Sequence, residues 1–281
     1  MSLFTSVRLE ITSKCNLNCK YCHNLDFANK NNDMTTEKIK ALLISLKKEL
    51  GVNKVLLTGG EPLLNSDVVE IVQLLTDLKI KSDLVTNGKL LTEKMINNLS
   101  KAGLKRIRIS IDGVGDEHNK YRIGSNVEEL WEKCKYIKNN TKINTVVHTV
   151  SSMHNANKMF DIYKKILEVK ADRWRIFDVG YEGAANQNIK ELDVSTYYHE
   201  FMDQMSRTLR HYIEHSLINK LDIEANGVFK TNLLTKPPML NTYEEKNKYF
   251  KKILNLSPCA YIQHQSTIRS DGKGTLCQFF S

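Results

Sequence analysis

Three cysteines stand close together near the start of the chain, in Cys15-Asn16-Leu17-Asn18-Cys19-Lys20-Tyr21-Cys22, at C-x₃-C-x₂-C spacing. Thiolates at such intervals hold soft metals and iron–sulfur clusters. A [4Fe–4S] cube takes four thiolates. This run supplies three, and no fourth cysteine follows closely. A cube held by three thiolates keeps one iron with an open position, and an open position is where chemistry happens. A zinc site completed by a distant ligand such as His23 fits the same spacing. A secreted disulfide framework does not. The six cysteines divide as three in this run, one at 134 and two at 259 and 277, which is too uneven. The chain has no signal-peptide pattern and is Lys-rich. It reads as cytoplasmic, where thiols stay reduced.

The elements that must position these cysteines are legible as a rhythm. Strand-like runs fall at Val7–Ile11, Lys54–Thr58, Asp83–Thr86, Arg106–Ile111, Thr145–Val150 and Trp174–Val179. Helix-like segments lie between them, at about 35–50, 66–78, 92–102, 126–140 and 154–169. Ile39, Leu42, Leu43, Leu46 and Leu50 recur at helical spacing in the first. Thr35 with Glu37, and Thr92 with Glu93, read as helix starts. Strand–helix alternation at this interval predicts right-handed parallel βαβ units. Six repeats rather than eight give an α/β fold, a partial (β/α)₆ TIM-like barrel.

In parallel barrels the working residues gather at the carboxyl ends of the strands. The cysteine run follows the first strand. Thr58-Gly59-Gly60-Glu61-Pro62 follows the second, where paired glycines free the backbone for close approach to a ligand and Glu61 offers a carboxylate to an ammonium. Thr86-Asn87-Gly88 follows the third. Ser110, Asp112 and Gly113 end the fourth. Ser151 and Asn155 lie beyond the fifth, and Asp178 ends the sixth. A single zinc site does not account for this gathering.

Cys-x₃-Cys-x₂-Cys followed by Gly-Gly-Glu-Pro on the next strand resembles the signature of the radical S-adenosylmethionine (SAM) superfamily. The resemblance implies a [4Fe–4S] cluster on Cys15, Cys19 and Cys22, with SAM chelating the open iron. It implies reductive cleavage of SAM to a 5′-deoxyadenosyl radical that takes a hydrogen atom from substrate. It also implies SAM contacts at Gly59, Gly60, Glu61, Asn87, Ser110, Asp112 and Arg122, with the guanidinium suited to the SAM carboxylate. Tyr21 resembles the aromatic beside the adenine. Asp178, Tyr181 and Glu182, past the sixth strand, are the substrate-contact and catalytic candidates. A one-electron donor such as flavodoxin or ferredoxin is implied as partner.

Three regions are expected: the partial barrel over 1–185, a helical connector over 186–250 and a hairpin extension over 251–281. The connector carries an amphipathic helix over 194–217. Asp271-Gly272 between alternating runs predicts a tight β-hairpin, flanked by Cys259 and Cys277. This resembles the opening hairpin of SPASM and Twitch extensions and implies Cys259 and Cys277 as ligands of a possible second iron–sulfur cluster. The sequence runs four residues past Cys277 without the later cysteines that usually complete such a cluster. A shortened chain, non-cysteine ligands or no second cluster all remain open.

Arg108-Ile-Ser-Ile-Asp-Gly113, the six-fold barrel and the Cys-flanked hairpin most resemble the branch containing the molybdenum-cofactor GTP cyclase and the SPASM/Twitch enzymes. The cyclase's close Cys pair before its last Cys and its Gly-rich tail are missing. Tyr21-Cys22-His23-Asn24 resembles glycyl-radical-enzyme activases, which normally lack the hairpin. Only 14 residues precede the cysteine run. That sets the expectation of a small polar metabolite, of nucleotide, aminosugar or aminocyclitol type, undergoing dehydrogenation, epimerisation or rearrangement. The alternatives are a peptide-modifying maturase of a ribosomal natural product, an activase, or a non-catalytic metal-binding module.

The bulk properties agree. The 281 residues are 41% hydrophobic and 26% charged, as in a globular protein, with a net charge of +9. A basic surface suits a phosphorylated or acidic substrate, or an acidic redox partner. No run approaches the roughly 18 apolar residues of a membrane span. No nucleic-acid-binding motif is present, so neither membrane nor nucleic acid is expected as partner. Cys134, within a helix-like segment, reads as a packed thiol.

Overall fold

The computed structural model describes residues 6–22, 32–179, 183–188, 192, 197–215, 222–226, 265–268, 270, 271, 274 and 275. All six expected strands form: β1 (Ser6–Glu10), β3 (Lys54–Thr58), β4 (Lys81–Thr86), β5 (Arg106–Ser110), β7 (Asn144–Ser151) and β8 (Arg173–Asp178). Two short strands, β2 (Asn18–Cys19) and β6 (Arg122–Ile123), pair with each other outside the main sheet. Helices α1 (Thr36–Leu50), α2 (Val68–Asp77), α3 (Glu93–Lys101), α5 (Val127–Asn140) and α6 (Met159–Glu168) fill the expected crossovers, and α4 (Asp116–Tyr121) precedes β6. The Thr35 and Thr92 hydroxyls accept from Lys38 N and Met95 N, which makes both the N-caps their position announced.

Strands β1, β3, β4, β5, β7 and β8 run parallel in that order. Their helix-facing side chains, such as Leu9, Leu57, Ile107, Val147 and Trp174, meet the apolar faces of the helices in one core. The Trp174 indole donates to the Thr149 hydroxyl at 2.9 Å, so this large core ring buries no orphan donor.

Three further strands extend the sheet. The hairpin expected at Asp271-Gly272 is present as β10 (Gln265–Ile268) and β11 (Gly274–Thr275), antiparallel to each other, with β10 parallel to β1. At the other edge β9 (Asp222–Asn226) lies parallel to β8. The connector therefore contributes a strand as well as α8 (Tyr198–His215). A five-residue run, Asp-Ile-Glu-Ala-Asn, carries too little apolar alternation to announce itself. Among the described residues the sheet stays open, with β11 and β9 at its edges. No described helix is long and apolar enough to cross a membrane.

Candidate active site

The ladder between β1 and β3 continues past the strands. Ile11 N donates to Thr58 O at 3.0 Å, Gly60 N to Thr12 O at 2.9 Å and Glu61 N to Lys14 O at 2.7 Å. The cysteine loop is thus zipped to the Gly-Gly-Glu turn. A Cβ on Gly59 would lie 2.2 Å from Thr12 O, and one on Gly60 would lie 2.3 Å from Lys14 O. The sequence suggested that these glycines admit a ligand. The structure shows what they admit first, the backbone of the cysteine loop.

Glu61 also turns inward. It is fully buried and accepts from Leu63 N at 3.1 Å, the Thr86 hydroxyl at 2.7 Å and Asn87 N at 2.7 Å. One carboxylate ties the turn after β3 to the turn after β4. Burial pushes its pKa up, opposed by these three hydrogen bonds. Asn87 continues the chain of ties. Its amide donates to Asn16 Oδ1 at 2.8 Å, and its own Oδ1 accepts from Lys89 N at 2.9 Å.

Asp112, Arg122 and Tyr21 meet in one buried group. Asp112 Oδ2 accepts from Arg122 Nε at 2.6 Å and from the Tyr21 hydroxyl, while Oδ1 accepts from Val150 N at 2.7 Å. The guanidinium lies 5.4 Å from the centre of the Tyr21 ring. Arg122 was expected at a carboxylate of SAM, and Tyr21 beside the adenine. Here Arg122 is buried on a protein carboxylate and its backbone pairs with Cys19, while the Tyr21 phenol faces the same carboxylate. Burial, with Asp112 adding to it against Arg122, holds the phenol far from ionising.

Beneath the group, His118 Nδ1 accepts from Asp112 N at 2.9 Å and Nε2 meets Ser125 Oγ at 3.0 Å. Burial drives the His118 pKa down to about 4. The Asn155 amide donates to Asp112 O and Val150 O, both at 2.8 Å.

Three more contacts seat the cysteine loop, and the sequence did not point to them. Asp33 accepts from the Thr12 hydroxyl at 2.7 Å and Ser13 N at 2.9 Å, and Ser270 at the hairpin turn also bonds to it. Lys20 N donates to Tyr121 O at 3.0 Å. A short helix, α7 (Ala184–Gln187), reaches over the loop: Ala184 N donates to Cys22 O at 2.9 Å, and the Asn188 amide to Lys20 O at 2.8 Å. Four helical residues make no periodic signal, so the sequence does not announce this turn.

Cys15, Cys19 and Cys22 carry partly buried thiols, none in a disulfide, on this seated loop. Burial raises the Cys15 pKa and pushes Cys19 up to about 11, with Arg122 pulling Cys19 down and the other two thiols pushing it up. Three thiols, with Cys19 acted on by the other two and a guanidinium nearby, suit an anionic cluster, whose metal would deprotonate its ligands. Among the described residues no three His, Cys, Asp or Glu side chains converge on a single ion. Three irons of a cube take one thiolate each, so the donor set fits that group.

Ser110 ends β5 in register with His148 on β7, and Asp178 ends β8 in register with Ser151. Tyr181, Glu182, His23, Cys259 and Cys277 lie outside the described residues.

The model of the Radical SAM superfamily matches residues 9–166, more than half of the chain. The chain belongs to that family. The radical SAM family works with a [4Fe–4S] cluster and SAM. Over 186 residues the chain is 32% identical to the PqqA peptide cyclase of Bradyrhizobium diazoefficiens, covering 65% of this chain and 48% of that one. Over 126 residues it is 38% identical to the probable GTP 3′,8-cyclase of Methanococcus aeolicus, covering 44% and 42%. The chain thus spans about half the length of the curated relatives it matches. Streptococcus suis SuiB bound to S-adenosylmethionine shares the fold at a TM-score of 0.72 and 19% identity, over 99% of this chain and 61% of that one. SuiB has also been solved bound to its precursor peptide SuiA.

Proposed function

We propose that this chain cleaves SAM reductively at a [4Fe–4S] cluster held by Cys15, Cys19 and Cys22, and that hydrogen abstraction from a bound substrate follows. The observation that carries this is the seating of a three-thiol loop, at the carboxyl ends of parallel strands, within a chain of this family. When bound, the cluster supplies the electron that breaks the SAM sulfonium.

The chain's own residues hold the loop and shape the mouth beside it. Gly59, Gly60 and Glu61 lock the cysteine loop to the β3 turn. Asn87 holds its Asn16 end, and the Arg122 backbone its Cys19 end. Asp112 keeps Arg122 and Tyr21 in place, so a positive group stays beside the thiolates. Ser110 is free of these ties, on the lumen side of β5, where the SAM carboxylate would meet it. Asp178, Tyr181 and Glu182 are the substrate-contact candidates. A small one-electron donor such as flavodoxin or ferredoxin is the partner, and Cys259 and Cys277 are ligand candidates for a second cluster.

For the substrate we favour a peptide. A relative matched over 186 residues of the chain is a peptide cyclase. A nucleotide is the second reading, supported by the higher identity to probable GTP cyclases over a shorter stretch. The test is release of 5′-deoxyadenosine from anaerobically reconstituted protein with SAM and dithionite, for the wild type and Cys19→Ala. Loss of iron binding and of SAM cleavage in the variant is expected. Full cleavage by Cys19→Ala would sink the assignment. Stimulation by peptides or by nucleotides then separates the two substrates.

A further inference from the structure

Strand side chains alternate between two faces. Val7 and Leu9, Val55 and Leu57, Ile107 and Ile109, and Trp174 and Ile176 face the helices in the core. Their neighbours Arg8, Lys54, Arg106, Arg108 and Arg175 therefore face the lumen, as does His148 beside Val147. Glu10, on the same face as Arg8, and Asp83 are carboxylates of this face, and Asp83 serves three cations: Arg108 by a close hydrogen bond, Lys54 at 3.3 Å and Arg106 at 3.4 Å. At the far edge β9 lies in register with β8, Glu224 opposite Arg175 in the backbone ladder. Five cations, Arg8, Lys54, Arg106, Arg108 and Arg175, thus share this face with the carboxylates Glu10 and Asp83 and with the neutral His148.

Two buried nitrogens mark that spot. Arg108 Nε and His148 Nε2 have no hydrogen-bond partner among the described residues. Arg108 is only 6% exposed. His148 stands in register between Ser110 and Arg175, with its ring edge on Phe177 at 4.9 Å between centroids. Burial and then Arg108, Arg175, Arg8 and Arg122 hold His148 neutral, its pKa well below the ordinary value. The charges acting most strongly on this imidazole are all positive. The Arg108 Nε–H is a buried donor in a positive field with nothing to donate to, and such a group is arranged for an anion.

We propose that the lumen at Arg108 and His148 is a subsite for an oxoanion of the substrate, a carboxylate or a phosphate, lying below the strand ends that carry the cysteine loop. The word substrate rests on the function proposed above; the anion rests on the lumen's own charge. Bound there, the oxoanion accepts from Arg108 and from His148 Nε2–H and relieves the excess charge. The reacting carbon then stays at the barrel mouth. The site selects for substrates with an acidic group set back from the reacting position.

The test is calorimetric titration of the reconstituted holoenzyme with inorganic phosphate and, separately, with acetate, for the wild type, Arg108→Gln and His148→Phe. Asp83 keeps Lys54 and Arg106 in Arg108→Gln, and phenylalanine keeps the ring volume at 148, so both variants should fold. Binding of one probe, weakened at least tenfold in both variants, is expected; phosphate indicates a phosphorylated substrate and acetate a carboxylate. In the wild type the ¹⁵N resonances of His148 should move toward the imidazolium form on saturation. Binding of neither probe, or equal binding by all three proteins, overturns the subsite. SAM cleavage with dithionite, measured on the same wild-type sample, reports separately on the function: a protein that cleaves SAM and binds no anion refutes only the subsite.

Discussion

Replacing Gly60 by Ala asks whether the Gly-Gly pair serves the ligand or the loop. Gly60 does not have a positive φ, so alanine brings no backbone strain, only a methyl group. That methyl would sit 2.3 Å from Lys14 O and 2.7 Å from Ser13 O, and both are backbone atoms that cannot swing aside. Overpacking of this kind costs about 1–3 kcal/mol. Moving the loop away also stretches the bonds from Gly60 N to Thr12 O and from Glu61 N to Lys14 O, each worth about 1 kcal/mol net. The more restricted unfolded chain offsets roughly 0.4–1 kcal/mol. The net loss is about 2–4 kcal/mol, a large part of the roughly 5–15 kcal/mol that holds a domain together. Urea unfolding followed by circular dichroism should show the lowered midpoint, and iron analysis after anaerobic reconstitution should show a substoichiometric cluster. A variant with full iron, an unchanged midpoint and weakened SAM binding alone would refute the loop-docking argument. It would restore the view that the glycines serve the ligand directly.

Asp112→Ala strands the Arg122 guanidinium in a buried site and should cost about 3–5 kcal/mol, as should Arg122→Met from the other side. The double variant should cost clearly less than the two together in a denaturant-based double-mutant cycle; strict additivity would show that the pair does not act as one unit. His118, held neutral with its pKa near 4, makes the fold sensitive to acid. Its folded value lies below the unfolded one of about 6.5, so its contribution is complete above that pH and is lost as pH falls toward 4. The loss amounts to about 3 kcal/mol. His118→Asn, whose side-chain oxygen can still accept from Asp112 N, should flatten the stability profile over that window, and an unchanged slope would assign the acid sensitivity elsewhere.

Much of the architecture is local and so legible. Strand and helix periods, the Thr35 and Thr92 caps and the Asp271-Gly272 turn each depend on residues within a few positions of one another. The βα rhythm by itself places the cysteines, Glu61, Asn87, Ser110 and Asp112 at one end of the sheet. What each of these touches is a different matter. Glu61 meets Thr86 and Asn87 because β3 and β4 lie side by side, and Arg122 meets Cys19 because β6 folds back onto β2. Residue type told that Glu61 and Arg122 carry charge, and not that both would be buried on protein partners. Asp33, His118 and Asn188 had no signal, since their partners lie across loops rather than along an element. Strand β9 carries too few apolar residues to show a period, and the turn at 184–187 is too short for one. The lumen shows the division most plainly: sequence alternation says which arginines share a face, but only the tertiary arrangement of the strands brings the charges of Arg8, Arg108 and Arg175 to bear on one buried histidine.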